Sequence, residues 1–186
     1  STTNGRKAGG VHHINFTDDQ LTTTYNAMPT KTSSQFTIYV KTYTNATSST
    51  EIGDWQNKSA TGNISENVKP RISSLTPTSS VTTGTFANLY VQGKTTVKLT
   101  CAATMGNGAT VSSYAFSGPN LSASSTSNTA TSGTLTASGT LTYTVTVTDS
   151  RGRKASTTAQ IYVYPYSKPS FKSTLVNRSN SAGTLD

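Results

Sequence analysis

Apolar and polar residues alternate one by one along several segments of this chain, and this period of two constrains the fold most. Leu141, Tyr143, Val145 and Val147 alternate with threonines along one such run. Shorter alternating runs occupy residues 38–41, 87–92 and 159–164. Because successive side chains of a strand point to opposite faces, the pattern predicts strands with one buried face and one wet face. We therefore predict an all-β fold of antiparallel sheets packed as a sandwich.

The composition agrees with sheets that have a solvent-facing side. The chain has 38 Thr and 27 Ser among 186 residues, and only 12% of its residues are charged. The branched Cβ of Thr restricts χ1 and suits an exposed pleated surface. No apolar run reaches the roughly 18 residues of a membrane helix. We therefore predict no membrane insertion.

Turn-forming residues separate the predicted strands. Asp149-Ser150-Arg151-Gly152 predicts a hairpin turn, and the two glycines of residues 106–108 predict a break between two strands. Residues 121–140 are so rich in Ser and Thr that they resemble a disordered segment. Leu121 and Leu135 provide apolar anchors there, so we predict short edge strands and loops instead.

A Lys-Pro dipeptide occurs at residues 69–70 and again at 168–169, an offset of about one immunoglobulin-like domain. Proline fixes φ and suits a short, stiff linker. We therefore predict tandem immunoglobulin-like antiparallel β-sandwiches joined by a short Pro-containing linker. We expect residues 1–69 to form a short first sandwich, either unusually small or truncated at its N-terminus, and residues 70–168 to form a complete one. Residues 169–186 form a linker or the start of a further module.

Positive charge is concentrated in the second predicted domain. Residues 70–168 have seven basic side chains and one acidic side chain, a net +6, whereas residues 1–69 have a net +1. Such an imbalance favours a polyanionic partner, although it also serves simply to keep a Ser/Thr-rich surface soluble. The candidate polyanions are an anionic cell-wall polymer, a lipid surface and a nucleic acid. Because no aromatic-flanked basic motif of a nucleic-acid module is present, we predict no specific nucleic-acid binding.

The residues that usually perform catalysis or bind metals form no recognisable set. Cys101 lies at an apolar position of an alternating run, which predicts a core thiol. His12 and His13 are adjacent and would point to opposite faces of a strand. Asp18 and Asp19 are not followed by a calcium-loop pattern. We therefore predict a chain that is not an enzyme, with no catalytic residue, no metal site and no cofactor.

Aromatic and basic side chains are the candidate ligand-binding residues. Exposed rings stack on sugars, and cationic tips contact phosphates. Each set also has a structural explanation: the tyrosines contact a following domain, the tryptophan covers the end of a sandwich, and the basic turn is merely solvated. The candidates for sugars are Trp55, in a polar loop, with Tyr162 and Tyr164, and those for anions are Arg151, Arg153 and Lys154.

Two stretches resemble known phage proteins. Residues 145–156, Val-Thr-Val-Thr-Asp-Ser-Arg-Gly-Arg-Lys-Ala-Ser, resemble the final hairpin of bacterial-type Ig-like repeats in tailed-phage structural proteins. Thr42-Tyr43, Glu51-Ile52-Gly53 and Lys69-Pro70 are similar to a module of a siphophage tail-associated family of uncharacterised function. The resemblance implies an elongated, virion-located tail or receptor-binding component with neighbouring tail-protein subunits as partners. It transfers no catalytic residues.

The predicted function is a non-enzymatic structural or display segment of a phage tail fibre or tail-associated receptor-binding protein. It spaces, or contributes to, adhesion to the bacterial cell surface, with a surface polysaccharide or an anionic cell-wall polymer as the partner. The alternative is a bacterial cell-surface adhesin, or a carbohydrate-binding accessory module, located outside the cell. Since immunoglobulin-like domains serve many functions, the fold does not separate these alternatives.

Overall fold

A computed structural model describes residues 15–45, 47 and 49–171 of the chain. The described part is mostly antiparallel β-sheet with one short helix, in agreement with the predicted all-β class. The elements are α1 (Asp18–Asn26), β1 (Ser33–Tyr43), β2 (Glu51–Asn63), β3 (Arg71–Ser79), β4 (Val97–Thr104), β5 (Val111–Gly118), β6 (Leu121–Ser125), β7 (Thr129–Thr131), β8 (Gly139–Asp149) and β9 (Lys154–Val163).

Strands β3 to β9 form two sheets that share one hydrophobic core. One sheet has the strand order β3-β4-β7, the other has the order β6-β5-β8-β9, and every strand pair is antiparallel. Leu99 of the first sheet lies in the same buried cluster as Phe116 and Val145 of the second. Because both inner faces fill a single core, these two sheets are packed as a sandwich.

Strand β8 shows how the alternating pattern produces this core. Its apolar residues Leu141, Tyr143, Val145 and Val147 are buried, and the intervening threonines lie on the opposite face. Burying one large apolar side chain contributes about 2 kcal/mol of hydrophobic free energy. The prediction made from the sequence is confirmed for this strand.

Other local predictions in the sandwich are also confirmed. Cys101 and Leu135 are fully buried in the core cluster, and Leu121, which with Leu135 comes from the Ser/Thr-rich segment, is also buried there. That segment contains the two short strands β6 and β7, each at the end of its sheet order. The hairpin turn after Asp149 connects β8 to β9, and the glycines of residues 106–108 lie between β4 and β5.

The alternating run at residues 87–92 was wrongly predicted to be a strand. It contributes only an isolated parallel bridge between Val91 and Tyr164. Asn88 has φ 58°, and Gly84 and Gly93 have φ 79° and 69°. Extended strand geometry requires negative φ, so these three positions fold the segment into turns.

The predicted first sandwich is not confirmed. In the described part of residues 1–69, the regular structure is α1 and the two-stranded sheet β1-β2. A sandwich needs a second sheet, and the described residues supply none there. The domain boundaries at residues 69 and 168 remain predictions, and residues 172–186 of the third segment lie outside the described part.

Helix α1 begins with a capping box that the sequence analysis missed. The Thr17 hydroxyl accepts a hydrogen bond from the Gln20 amide at 3.3 Å, and the Gln20 side chain accepts one from the Thr17 amide at 3.0 Å. Asp18 and Asp19 lie in the first turn, where carboxylates interact favourably with the positive end of the helix dipole. No described helix has the length and apolar character needed to cross a membrane.

The β1-β2 hairpin is long and solvent-facing. Tyr39, Val40, Ile52 and Trp55 are all exposed. A register shift follows Val40, so that residues 53–55 of β2 form a bulge opposite β1. Trp55 therefore lies in a strand rather than in the polar loop that the sequence predicted, and Gly53, with φ 73°, permits the distortion.

Candidate binding site

Tyr162 and Tyr164 form an exposed aromatic pair on the edge strand β9 and the residue that follows it. Their side chains are 55% and 51% exposed. The ring centroids lie 5.3 Å apart with the planes at 81°, an edge-to-face contact. The Tyr164 amide donates to the Tyr90 carbonyl at 2.8 Å, which fixes the backbone beneath the pair. The alternation correctly placed the two rings together.

Tyr166, two residues further on, contacts a different set of side chains. Its ring lies 5.9 Å from that of Phe86 in an edge-to-face contact, and the Lys94 ammonium lies 4.8 Å from its centroid. These two contacts hold the ring in one orientation beside the end of the second sheet. The period of two would put Tyr166 on the same face as Tyr162 and Tyr164, but among the described residues only these two rings of the three contact each other.

A surface groove of about 340 Å³ lies beside Tyr166. Gln92 organises it, since its amide nitrogen donates to the Thr136 carbonyl at 2.9 Å and its amide oxygen accepts from the Tyr166 amide at 3.4 Å. No sequence pattern indicated this groove, because its residues come from three separate segments. It is lined by Gln92, Gly93, Lys94, Thr136, Tyr166 and Lys168.

Arg151 is not the solvated tip that the sequence analysis expected. Only 8% of it is exposed, and its guanidinium donates to the backbone carbonyls of Met28 at 2.9 Å and Tyr25 at 2.8 Å. It also donates to the carbonyls of Gly106 and Asn107. Helix α1 has no basic residue in its last turn, so Arg151 supplies the cation that its C-terminal carbonyls favour.

Arg153 is also 8% exposed and binds the chain that follows β2. Its guanidinium donates to the carbonyls of Ile64 at 2.7 Å and of Ser65 and Val68 at 2.6 Å each. It also lies 3.4 Å from a carboxylate oxygen of Glu66. Both arginines therefore hold the N-terminal segment against the sandwich. Of the three cations predicted to bind anions, only Lys154 is exposed. A guanidinium suits this role because it offers several donors in a fixed plane.

Asp149 holds the turn from which both arginines project. It is 1% exposed, and its Oδ1 accepts from the backbone amides of Arg151 and Arg153 at 2.9 Å each. Gly152, with φ 82°, allows the chain to reverse there. Asp149 is the single acidic residue of residues 70–168, so the surface of this region exposes no carboxylate.

Trp55 lies far along the sequence from the other candidates, on the β1-β2 hairpin. It is 56% exposed, and the Lys41 ammonium lies 5.3 Å from the ring centroid. Lys41 also pairs with Glu51. An exposed indole next to a cation is able to stack on a flat ligand. Among the described residues, none of the other candidate residues contacts Trp55.

The remaining chemical candidates do not assemble into a site. His12 and His13 lie outside the described residues. Within the described part, no three His, Cys, Asp or Glu side chains cluster as metal ligands. Burial raises the pKa of the Cys101 thiol, which keeps it in the poorly nucleophilic neutral form.

Comparison with known families places the chain among phage proteins. The family described as siphovirus protein of unknown function (DUF859) matches residues 11–185. The chain therefore belongs to this siphovirus family. A comparison with curated proteins gave no match. The siphophage part of the predicted resemblance is confirmed, whereas the Ig-like repeat region is not.

Proposed function

We propose that this siphovirus chain is a non-enzymatic structural segment of the phage tail, part of a fibre or receptor-binding protein. It spaces binding surfaces and contributes to adhesion to the bacterial cell surface. Family membership supports a structural role in the virion. The observation that carries the adhesive part is the sandwich surface, which exposes cations and no carboxylate.

Because the single acid of residues 70–168 is buried, only positive charge is exposed on this region. The acidic Asp149 is buried, and the two buried arginines are used internally. Five cations of this region remain exposed and its single carboxylate does not, so the surface attracts anionic polymers over about one Debye length, roughly 8 Å at physiological salt. The exposed cations of this region are Arg71, Lys94, Lys98, Lys154 and Lys168.

An immunoglobulin-like interpretation of the sandwich is part of this proposal. The sandwich has seven antiparallel strands, three in one sheet and four in the other, and it spans residues 71–163. Immunoglobulin-like domains have this architecture and about this size. A sandwich of this kind is a stiff spacer, because its core is close-packed. The proposed partner is a surface polysaccharide or an anionic cell-wall polymer.

Assembly with a second copy of the chain is the other part of the proposed function. An isolated two-stranded hairpin is marginally stable in water, and the outer edges of β1 and β2 have no partner strand in the described residues. Residues 33–63 contain two lysines and two acidic residues, so the hairpin is formally neutral on a chain of charge +8. Two hairpins therefore meet without the repulsion that opposes contact between two sandwiches.

A carbohydrate-binding module is the second candidate function. The exposed Tyr162–Tyr164 pair favours it, since aromatic rings with hydroxyl tips suit sugar surfaces. Such a module would bind neutral polysaccharides, and its binding would persist at high salt because stacking is not screened.

Cosedimentation of the purified chain with intact bacterial cells tests the proposed function. We expect saturable binding that weakens as sodium chloride is raised. A basic protein of matched size and net charge serves as the control for nonspecific attraction. If the chain binds no better than this control, the adhesive part of the proposal is wrong.

A further inference from the structure

We infer that the groove beside Tyr166 binds a phosphate-linked polyol, a unit in which a phosphodiester joins hydroxyl-bearing carbons. This inference rests on the proposed adhesion and names the site and ligand chemistry within it. The groove volume of about 340 Å³ falls within the range of small-ligand sites. It thus has room for a single polymer repeat.

Two ammonium groups make the groove suitable for a phosphate. Lys94 and Lys168 both line it, and neither forms an ion pair within the described part of the chain. Asp149, the single acid of residues 70–168, is buried, so an external anion meets no exposed carboxylate from this region. Ammonium–phosphate hydrogen bonds are short and stronger than neutral ones.

The remaining lining favours hydroxyl groups as the rest of the ligand. Gln92 and Thr136 present amide and hydroxyl groups. Asn120 extends this polar rim, since its Nδ2 donates to the Thr136 hydroxyl at 3.2 Å and its Oδ1 accepts from that hydroxyl at 3.3 Å. Amides and hydroxyls both donate and accept, which matches polyol hydroxyls. The Phe86 and Lys94 contacts hold Tyr166 in place before any ligand arrives, which lowers the entropy cost of binding.

The geometry favours a polyol over a single-stranded nucleic acid. Proteins that bind single strands present successive rings on which bases stack. The groove has one ring, Tyr166, whose face is already approached by Lys94. The neighbouring Tyr162 and Tyr164 rings are nearly perpendicular to each other and so form no parallel platform.

A pair of charge-matched double variants of the full chain tests the site. The first is Lys94→Ala with Lys168→Ala, which removes both groove cations. The second is Lys98→Ala with Lys154→Ala, which removes two exposed cations that do not line the groove. Both lower the net charge equally. Circular dichroism and thermal melting establish that each variant is folded, and calorimetry with synthetic poly(glycerol phosphate) measures affinity, with dextran and oligo-dT as comparison ligands.

We expect poly(glycerol phosphate) to bind most tightly, with about a tenfold loss in the groove variant and less than about twofold in the control variant, as the loss of two solvent-exposed ion pairs predicts. Equal losses would overturn the groove site while leaving adhesion through diffuse charge intact. Tighter binding of oligo-dT or dextran would overturn the ligand class. Failure of the unmodified chain to bind any of the three would contradict both the site and the proposed adhesion.

Discussion

At the scale of single residues, sequence patterns predicted the core better than the surface. The buried positions of β8 follow from alternation, because the alternating face of a strand is a local property. The burial of Arg151 and Arg153 depends on carbonyls more than 80 residues away in sequence. Nothing local distinguishes such an arginine from one at a solvated hairpin tip, so a basic turn was predicted where the protein has two internal anchors.

Replacing Arg153 by Ala tests whether the arginine is an anchor. The change leaves the carbonyls of Ile64, Ser65 and Val68 without their donor, and we expect a loss of about 3 kcal/mol in the free energy of unfolding. Urea denaturation measures this loss. Lys154→Ala, at the exposed next residue, should change stability by less than about 0.5 kcal/mol. Similar small effects for both variants would show that Arg153 does not hold the segments together.

The buried phenol of Tyr143 makes the stability of the protein depend on pH. Burial raises the pKa of its phenol, so the folded protein keeps it neutral when the unfolded chain begins to ionise near pH 10. The unfolded chain then binds fewer protons than the folded one, and stability falls as the pH rises above about 10.

Tyr143→Phe should cost about 1 kcal/mol at pH 7, because the hydrogen bond to the Pro119 carbonyl at 3.1 Å is lost. Since Phe does not ionise, the variant and the unmodified protein should become more similar in free energy of unfolding between pH 9 and pH 11. Urea unfolding at each pH measures this difference. Tyr162→Phe, which alters an exposed phenol, controls for the substitution itself. A difference that stays constant with pH would refute the linkage.

At the scale of elements, the sandwich strands were predictable and the N-terminal elements were not. Turn residues and alternation located most of β4 to β9. Helix α1 has nine residues, and isolated helices shorter than about 12 residues are marginal in water. Its stability comes from the capping box and from Arg151, a partner more than a hundred residues away in sequence. The assignment of the two-stranded hairpin to a sandwich is not confirmed by the described residues, because alternation predicts strands and does not predict how many sheets they form.

Gly108→Ala tests the contact between α1 and the sandwich. A Cβ at this position would lie 2.6 Å from the Asn26 Cα, in addition to the strain of φ 71°. Gly84→Ala has a similar φ of 79° and open space around the Cβ, so it reports the strain alone, about 1 to 2 kcal/mol.

We expect Gly108→Ala to be the more destabilising of the two in urea unfolding. Hydrogen exchange should also be faster in residues 18–28 of this variant, because α1 loses its docking surface. Equal destabilisation, with unchanged exchange in α1, would mean that this contact does not support the helix.

The proposed assembly through the β1-β2 hairpin predicts that whole chains associate with one another. Val40→Thr combined with Ile52→Thr keeps β-propensity while removing exposed apolar surface. If a second copy packs on the hairpin, the unmodified chain should form a concentration-dependent oligomer in light scattering, and the double variant should remain monomeric. Leu89→Thr, at an exposed apolar residue outside the hairpin, should leave the oligomer unchanged. A monomeric unmodified chain at high concentration would contradict the assembly proposal.

At the scale of the whole molecule, the uneven charge was visible in the sequence and the groove was not. Counting charges indicated a basic region, and the structure adds that its one acid is buried. The groove combines residues 92–94, 136 and 166–168, which only the packing of loops brings together. The Lys-Pro repeat predicted a short sandwich followed by a complete one, but a dipeptide marks a junction and carries no information about the sheets on either side of it.

Binding to isolated bacterial cell walls, before and after chemical removal of their phosphate-linked polymers, tests the central claim most directly. The full chain is titrated onto both preparations over a series of salt concentrations. The account predicts binding to intact walls that weakens steadily with salt, and loss of most of this binding when the anionic polymers are removed. Equal binding to both preparations at all salt concentrations would contradict it and would favour recognition of a neutral polysaccharide.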